Sequence, residues 1–435
     1  MLETPKSALL YDRARQVMPG GNTRHTVFRQ PYQVYAARGH GCRITDVDGN
    51  DRIDAVGNFT ALIHGYGSDR IREAARRQIE DGLCFGMPTE SEIRLSEMLC
   101  ERLPTVEQLR YTNSGTEAVM NAIKVARAFT GRPKFAKCEG AYHGTYDPAE
   151  TSQEARPDTW GEIDSPVSVP TAKGTPQGVL DDVVVIPFNN TAVAEAILRA
   201  KGNSLAAVLV DVMPNRAGLV PARPEFLQML RRVTREIGAL LILDEVITFR
   251  LGYNGAQGRF GVEPDLTTLG KVIGGGFPIG AIGGRRDVMS VFDPTAGSPA
   301  VPHGGTFSAN PMSMVAGVAA LEDLTPEAFA WLDRLGALFD AGIGDCFRRH
   351  GVNGQVTGLG SLRRVHLSSV ELSDFRSTFA AGDGPKRVAA LARALFDEGV
   401  LIAANGLMAF STAMTEQDIQ QIVAAFDRAL PRTPA

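Results

Sequence analysis

Cysteine is scarce here and nowhere paired: five residues in 435 (Cys42, Cys84, Cys100, Cys138 and Cys346), with no CxxC spacing among them. That argues against both a disulfide framework and a zinc site. Long apolar runs are missing as well. No stretch approaches the roughly 18 residues of a membrane-spanning helix, and the opening MLETPKSALLYDRARQ is too charged for a signal peptide. Basic blocks are absent and the formal net charge is −4, so nucleic acid is not an expected partner. HExxH, GxSxG and paired metal ligands do not occur. LGKV is no P-loop, because neither Ser nor Thr follows the lysine. GLGSL at 358–362 lacks the third glycine and downstream acid of a dinucleotide site. A cytoplasmic protein without membrane segments is the expectation.

What is abundant is glycine, 46 residues, which predicts many tight turns and close backbone approaches. The chain is too long for one simple core, and two or three lobes are expected. An amphipathic helix is predicted over 7–18, stopped by PGG and followed by a hairpin around Asp48-Gly49. Helices and apolar strands then alternate. The clearest unit starts with the apolar LAAVLVDV. A helix follows, opened by Pro224, with Phe226, Leu230, Val233 and Ile237 on one stripe and Gly238 at its end, and then ALLILDEV. Strand, crossover helix and strand imply a mainly parallel sheet covered on both faces. The C-terminal part reads differently. Strands in GQVTGLGSLRRVHLS and VLIAANGLMAFS are flanked by helices at 385–398 and 415–430, the latter with a Thr415/Asp418 capping box. A separate α+β lobe is expected there, sharing its sheet with the N-terminal segment.

Asp244 closes an apolar run at the carboxyl end of a predicted strand, where ligands of α/β sheets sit. A turn cap is the plainer reading. Lys271 lies in TTLGKVIGGGFPIG, with no other charge near it in the chain. A carboxylate at a pyridine nitrogen and a lysine that condenses with an aldehyde are the two protein groups that pyridoxal phosphate chemistry requires. Asn113-Ser114-Gly115-Thr116 opens a helix whose N–H groups and dipole would receive a phosphate, or is merely a good N-cap. In EGAYHGTYD, Tyr142 and His143 lie between glycines, the aromatic placed to stack on a flat ring or to cover apolar surface. HGGTFSANP, residues 303–311, offers Thr306 as a second phosphate donor. Arg24, in PGGNTRHTVF, offers a fork for a substrate carboxylate, although a lone arginine is usually a solvated charge.

With PGG, DVDGN, FGMPTE, TNSGTEA, YHG, LDEV, PDLTTLGKVIGGGFPIGAIGGRRDVM and GGTFSANP in this order, the chain resembles the class III aminotransferases of PLP fold type I. The resemblance covers residues 10 to 430 and is nearest to the glutamate-1-semialdehyde aminomutase and β-amino-acid transaminase branch. It implies an α/β fold: a large domain (53–304) with a mainly parallel seven-stranded sheet, and a smaller α+β domain formed by both termini (1–52 and 305–435). It implies pyridoxal 5′-phosphate held by Lys271, with Asp244 at the ring nitrogen, Val246 and Tyr142 on opposite ring faces, and His143 beside them. Ser114, Gly115 and Thr116 would hold the phosphate. Thr306 would reach the phosphate of the neighbouring subunit in a homodimer, and the glycines after Lys271 would let backbone crowd the cofactor pocket.

The implied reaction moves an amino group from an amino acid or amine, β-amino or aromatic amino acids favoured, to a keto acid by way of pyridoxamine phosphate. An isomerase, aminomutase or racemase, is the alternative. Arg24, Phe59, Phe85, Arg216 and Asn405 are the substrate candidates. Asn405 stands where β-amino-acid transaminases carry a second arginine, and 403–415 holds no acid, unlike the semialdehyde aminomutases. Asp211-Val212 replaces the family's Glu-Pro, which predicts a reshaped wall with Arg216 as an alternative anchor. The Pro-rich stretch 150–180 is expected to be a flexible lid or a passive surface loop.

Overall fold

Strands that are apolar on every residue need cover on both faces. In the computed structural model, which describes residues 4–295 and 297–433, such strands, Leu205–Val210 and Val183–Ile186, lie within a seven-stranded sheet. Its order is Gln108–Thr112, Gly280–Gly284, Leu266–Gly270, Leu240–Asp244, Leu205–Val210, Lys134–Cys138 and Val183–Ile186. Only Gly280–Gly284 runs antiparallel to its neighbours; the other pairings are parallel. The sheet is therefore mainly parallel, as expected. One face, with Val208, Val210, Leu241 and Leu243, packs on Phe226, Leu230 and Val233 of the helix Pro224–Ile237. The opposite face, with Ala207, Leu209, Leu240 and Ile242, packs on Val119, Ala122 and Ile123 of the helix Gly115–Thr130. Adjacent strand residues alternate between the two clusters, the period-2 signature of a strand.

The two chain ends meet in a four-stranded sheet of Ala36–His40, Arg43–Asp46, Asp51–Asp54 and Val400–Leu401, the last parallel to Asp51–Asp54. The C-terminal strands are shorter and more numerous than their sequence suggests. GQVTGLGSLRRVHLS folds as an antiparallel pair, Gln355–Thr357 with Leu362–His366. VLIAANGLMAFS splits: Val400–Leu401 joins the four-stranded sheet and Leu407–Ala409 pairs with Leu362–His366. The turn between them needs Gly406, whose φ is 86°. The Thr415/Asp418 capping box is present at the helix Glu416–Ala429.

The helix Pro311–Asp323, expected in the C-terminal lobe, packs instead on Asp69–Asp81 and Glu90–Arg102. Gly275 permits this, since a Cβ there would lie 2.4 Å from Ala316 O. Gly275 thus crowds this helix. The stretch 150–180 carries packed contacts. Trp160 packs edge-on against Phe379 at 5.1 Å, and Arg376 donates to Gly161 O and to both oxygens of Glu139. Among the described residues no helix is long and apolar enough to cross a membrane.

Phe226 has no exposed surface. Phe226→Ala is expected to lower the unfolding free energy by about 3–5 kcal/mol. Leu9→Ala, at a side chain 68% exposed, should stay within about 0.5 kcal/mol. Paired denaturant titrations decide this, and equal shifts would contradict the packing described.

Candidate active site

Asp244 is the last residue of a central strand and only 5% exposed. Its Oδ1 accepts from Val246 N and from Thr268 Oγ1, both at 3.0 Å, and its Oδ2 lies 2.6 Å from His143 Nδ1. Burial would raise its pKa, but the hydrogen bonds from His143 and from the Val246 N–H outweigh this and hold it below the usual value. Burial likewise holds His143 below its ordinary pKa. The neutral ring therefore donates from Nδ1, and Nε2 is left buried without a partner.

Lys271 follows the strand Leu266–Gly270 next door, in a left-handed conformation (φ 50°) that a non-glycine residue adopts rarely. Burial pushes its pKa down to about 8, against the pull of Asp244 and Asp211. Asp211 is the carboxylate that sequence reading treated only as a departure. It follows the strand Leu205–Val210, whose Val210 pairs with Leu243, so Asp211 and Asp244 stand side by side at neighbouring strand ends. Burial and the Asp244 charge raise Asp211 to about 8. The proton of this pair thus sits on Asp211, and Asp244 keeps the negative charge.

The cradle expected around a phosphate is also assembled. Ser114 caps the helix Gly115–Thr130, its oxygen accepting from Glu117 N at 3.2 Å, so the plain N-cap reading of NSGT holds. The N–H groups at Gly115 and Thr116 still face outward, because the first turn of a helix has no intrahelical acceptors for them. A Cβ on Gly115 would come within 2.7 Å of Val246 Cγ1, and one on Gly144 within 2.5 Å of Thr116 Oγ1. Helix start, Tyr142–Gly144 loop and Asp244–Val246 turn are thus packed to backbone contact. Lys137 holds that loop from beneath. It is fully buried, donates to Ala141 O, Ala149 O and Thr151 O, and is pushed down to about 7 by burial. No sequence signal singles out Lys137 except its charge within a buried strand.

The substrate candidates divide. Arg216 lies 5.6 Å over the Tyr142 ring and pairs with Glu154 at 2.7 Å. Phe59 packs on the core cluster containing Val212 and Met213. Arg24 donates to Asn58 Oδ1 at 2.7 Å. Asn405 caps its own turn, its Oδ1 accepting from Leu407 N, while its backbone oxygen accepts from Arg364 Nε. Arg364 is a cation that sequence reading missed. Phe85 and Thr306 fall together on another, exposed surface, where Cys84 Sγ approaches Thr306 O. That surface also touches the cradle, since a Cβ on Gly305 would lie 3.6 Å from Asn113 Nδ2.

Residues 57–60 carry φ values of 55°, 49°, 54° and 76°, one turn of left-handed helix. Each non-glycine residue in it costs about 1–2 kcal/mol. Asp54 Oδ1 accepts from Val56 N and Gly57 N, and Arg250 donates to Thr60 O, Phe410 O and Ser361 Oγ.

A model of the class III aminotransferase family matches residues 26–430. The chain belongs to the class III aminotransferases. Within them, glutamate-1-semialdehyde 2,1-aminomutase 1 of Macrococcus caseolyticus is 38% identical over 99% of each chain. An omega-transaminase from Sphaerobacter thermophilus is 51% identical, with a TM-score of 0.96 over 98% of this chain and 97% of that one. A β-phenylalanine aminotransferase from Variovorax paradoxus is 35% identical, with a TM-score of 0.88 over 98% and 94%. As an enzyme of the class III family the protein uses pyridoxal 5′-phosphate. The residues present fit that cofactor. A carboxylate is kept charged at the strand ends, an amine of lowered pKa lies beside it, and a glycine at the helix start lets Val246 pack directly on the first turn.

A lysine of lowered pKa is neutral above that value. Capture of a small aldehyde by Lys271 in cofactor-free protein is therefore expected to accelerate through pH about 8. A rate still climbing at the ordinary lysine value of 10.5 would contradict the environment described.

Proposed function

We propose that this chain is an aminotransferase that takes an amino group from a carboxylate-bearing amine, a β-amino or aromatic amino acid, and delivers it to a keto acid. When bound, the cofactor supplies an aldehyde that receives the amino group and a cationic ring that draws electrons from the substrate carbon. The chain supplies the rest. Lys271, neutral above pH about 8, takes the proton from the substrate carbon and returns it. Asp244, kept anionic by its donors, keeps the ring nitrogen protonated, and His143 holds Asp244 in place. The N–H groups of Gly115 and Thr116, with the Ser114 and Thr116 hydroxyls nearby, would hold the phosphate. Tyr142 and Val246 would pack against the ring.

One observation carries transamination over isomerisation. Arg24 and Arg364 have no carboxylate partner among the described residues, and 403–415 contains no acid. An aminomutase must hold a substrate that passes through a doubly aminated state, and a second ammonium needs an acid beside it. Cations held by neutral acceptors, Arg24 by Asn58 Oδ1 and Arg364 by the carbonyls of Asn405 and Asn215, favour a substrate carboxylate instead. The high identity to an omega-transaminase supports the same reading, and that to a β-phenylalanine aminotransferase supports the substrate class. The isomerase reading draws its support from the aminomutase relative.

A homodimer is proposed on the surface that carries Thr306. Leu83, Phe85, Met87 and Phe307 are 57%, 44%, 77% and 60% exposed there, and Asn310 Nδ2 donates to Leu83 O to join the two segments. Scattering should give twice the chain mass of 46.6 kDa. A cytoplasmic location fits five unpaired cysteines.

The test is a half-reaction with cofactor-loaded protein, 3-amino-3-phenylpropanoate and no keto acid. The cofactor absorption should be discharged with one equivalent of keto product. Persistent absorption while the substrate racemises or its amino group migrates would establish the isomerase instead. Lys271→Ala should lower turnover at least about 10³-fold, and Arg24→Gln should raise KM for the amino acid roughly 10- to 100-fold.

A further inference from the structure

The left-handed turn at 57–60 contains none of the residues assigned to the cofactor, yet the fold maintains it from both sides. Asp54, buried, grips its start through two N–H groups at 2.8 and 3.0 Å and is itself held by Tyr66 OH at 2.6 Å. Arg250, also buried, grips its end at Thr60 O, 2.9 Å away. Backbone strain that the surroundings over-determine in this way is commonly stored where a side chain must be aimed. The turn aims two. Phe59 goes inward against the core cluster, and Asn58 goes out to solvent, where its Oδ1 accepts from Arg24 Nη1 at 2.7 Å. Among the described residues Arg24 has no carboxylate partner, and Asn58 is its side-chain acceptor.

We propose that Asn58 is the positioning residue for substrate-carboxylate recognition, an inference that rests on the reading of Arg24 given above. Taking one N–H of Nη1 fixes the guanidinium plane and leaves the Nε–Nη2 edge free for a bidentate carboxylate. A neutral amide does this without neutralising the cation; a carboxylate at the same place would occupy Arg24 permanently. Asparagine also tolerates the left-handed conformation better than most residues. The strained turn therefore selects amine donors that carry a carboxylate over those that do not.

Two substrates separate this from a structural role: 3-amino-3-phenylpropanoate and 1-phenylethylamine, which lacks the carboxylate. Asn58→Gly keeps the left-handed turn and removes only the acceptor. It is expected to raise KM for the amino acid about 5- to 10-fold with kcat unchanged, to leave both constants for 1-phenylethylamine unchanged, and to hold or raise Tm. Asn58→Asp should raise KM for the amino acid further. Equal effects of Asn58→Gly on both substrates, or on neither, while Arg24→Gln affects the amino acid alone, would overturn the proposal and leave Arg24 in its role. If Arg24→Gln also fails to discriminate between the two substrates, the reading of Arg24 falls and the proposal falls with it.

Discussion

Three constraints meet at the carboxylate of Asp244, and the rest of the site is arranged around it. It ends a strand buried on both faces, so its position is fixed by the sheet. It lies beside a second carboxylate, Asp211, so the pair must share a proton. It is also met by His143 and Thr268, donors from a distant loop and from the neighbouring strand. Glu245, next in sequence, points the other way and accepts from Ala256 N and Gln257 N, where the chain turns into the helix Gly255–Phe260. One DEV tripeptide thus fixes the charge on the functional side and ties down the loop on the structural side.

The electrostatics follow from burial with unequal compensation. Asp244 has three hydrogen-bond donors and stays charged, whereas for Asp211 one is recorded, Met213 N, and its pKa rises. Lys271 feels both carboxylates, yet burial still lowers it to about 8. A site of this kind keeps one fixed negative charge, beside a carboxyl and an amine that both change charge near pH 8. Water would erase these distinctions, because in high dielectric the three groups would titrate near their ordinary values.

Buried and half-buried cations recur as braces. Lys137, Arg250 and Arg376 each hold backbone carbonyls of segments with little regular structure: the loop after Tyr142, the turn at 57–60 and the hairpin at 161–166. A cation donating to carbonyl dipoles satisfies backbone groups that such segments cannot pair among themselves. The brace at Arg376 reaches Glu139, three residues before Tyr142, and so connects the 150–180 stretch to the wall of the site.

Much of this was legible in the order of residues. Apolar strands, crossover helices, caps and turn glycines are local patterns, and they announced a mainly parallel sheet and the placement of Asp244 and Lys271 at its strand ends. The helix Pro326–His350 was not announced, because three glycines dilute its apolar stripe, one of them, Gly336, pressed against Gly360 O. The splitting of VLIAANGLMAFS between two sheets could not be read either, since strand partners are chosen by what lies alongside. The same limit applies to the site. His143 and Asp244 are 101 positions apart, and Arg250 and Thr60 are 190 apart. The sequence by itself determined which groups are available and which elements carry them, because propensity and periodicity act over a few residues. Which carboxylate keeps its charge, which arginine is left unpaired and which turn is held in strain were decided only by the tertiary structure, because burial and hydrogen-bond partnership are properties of neighbours in space.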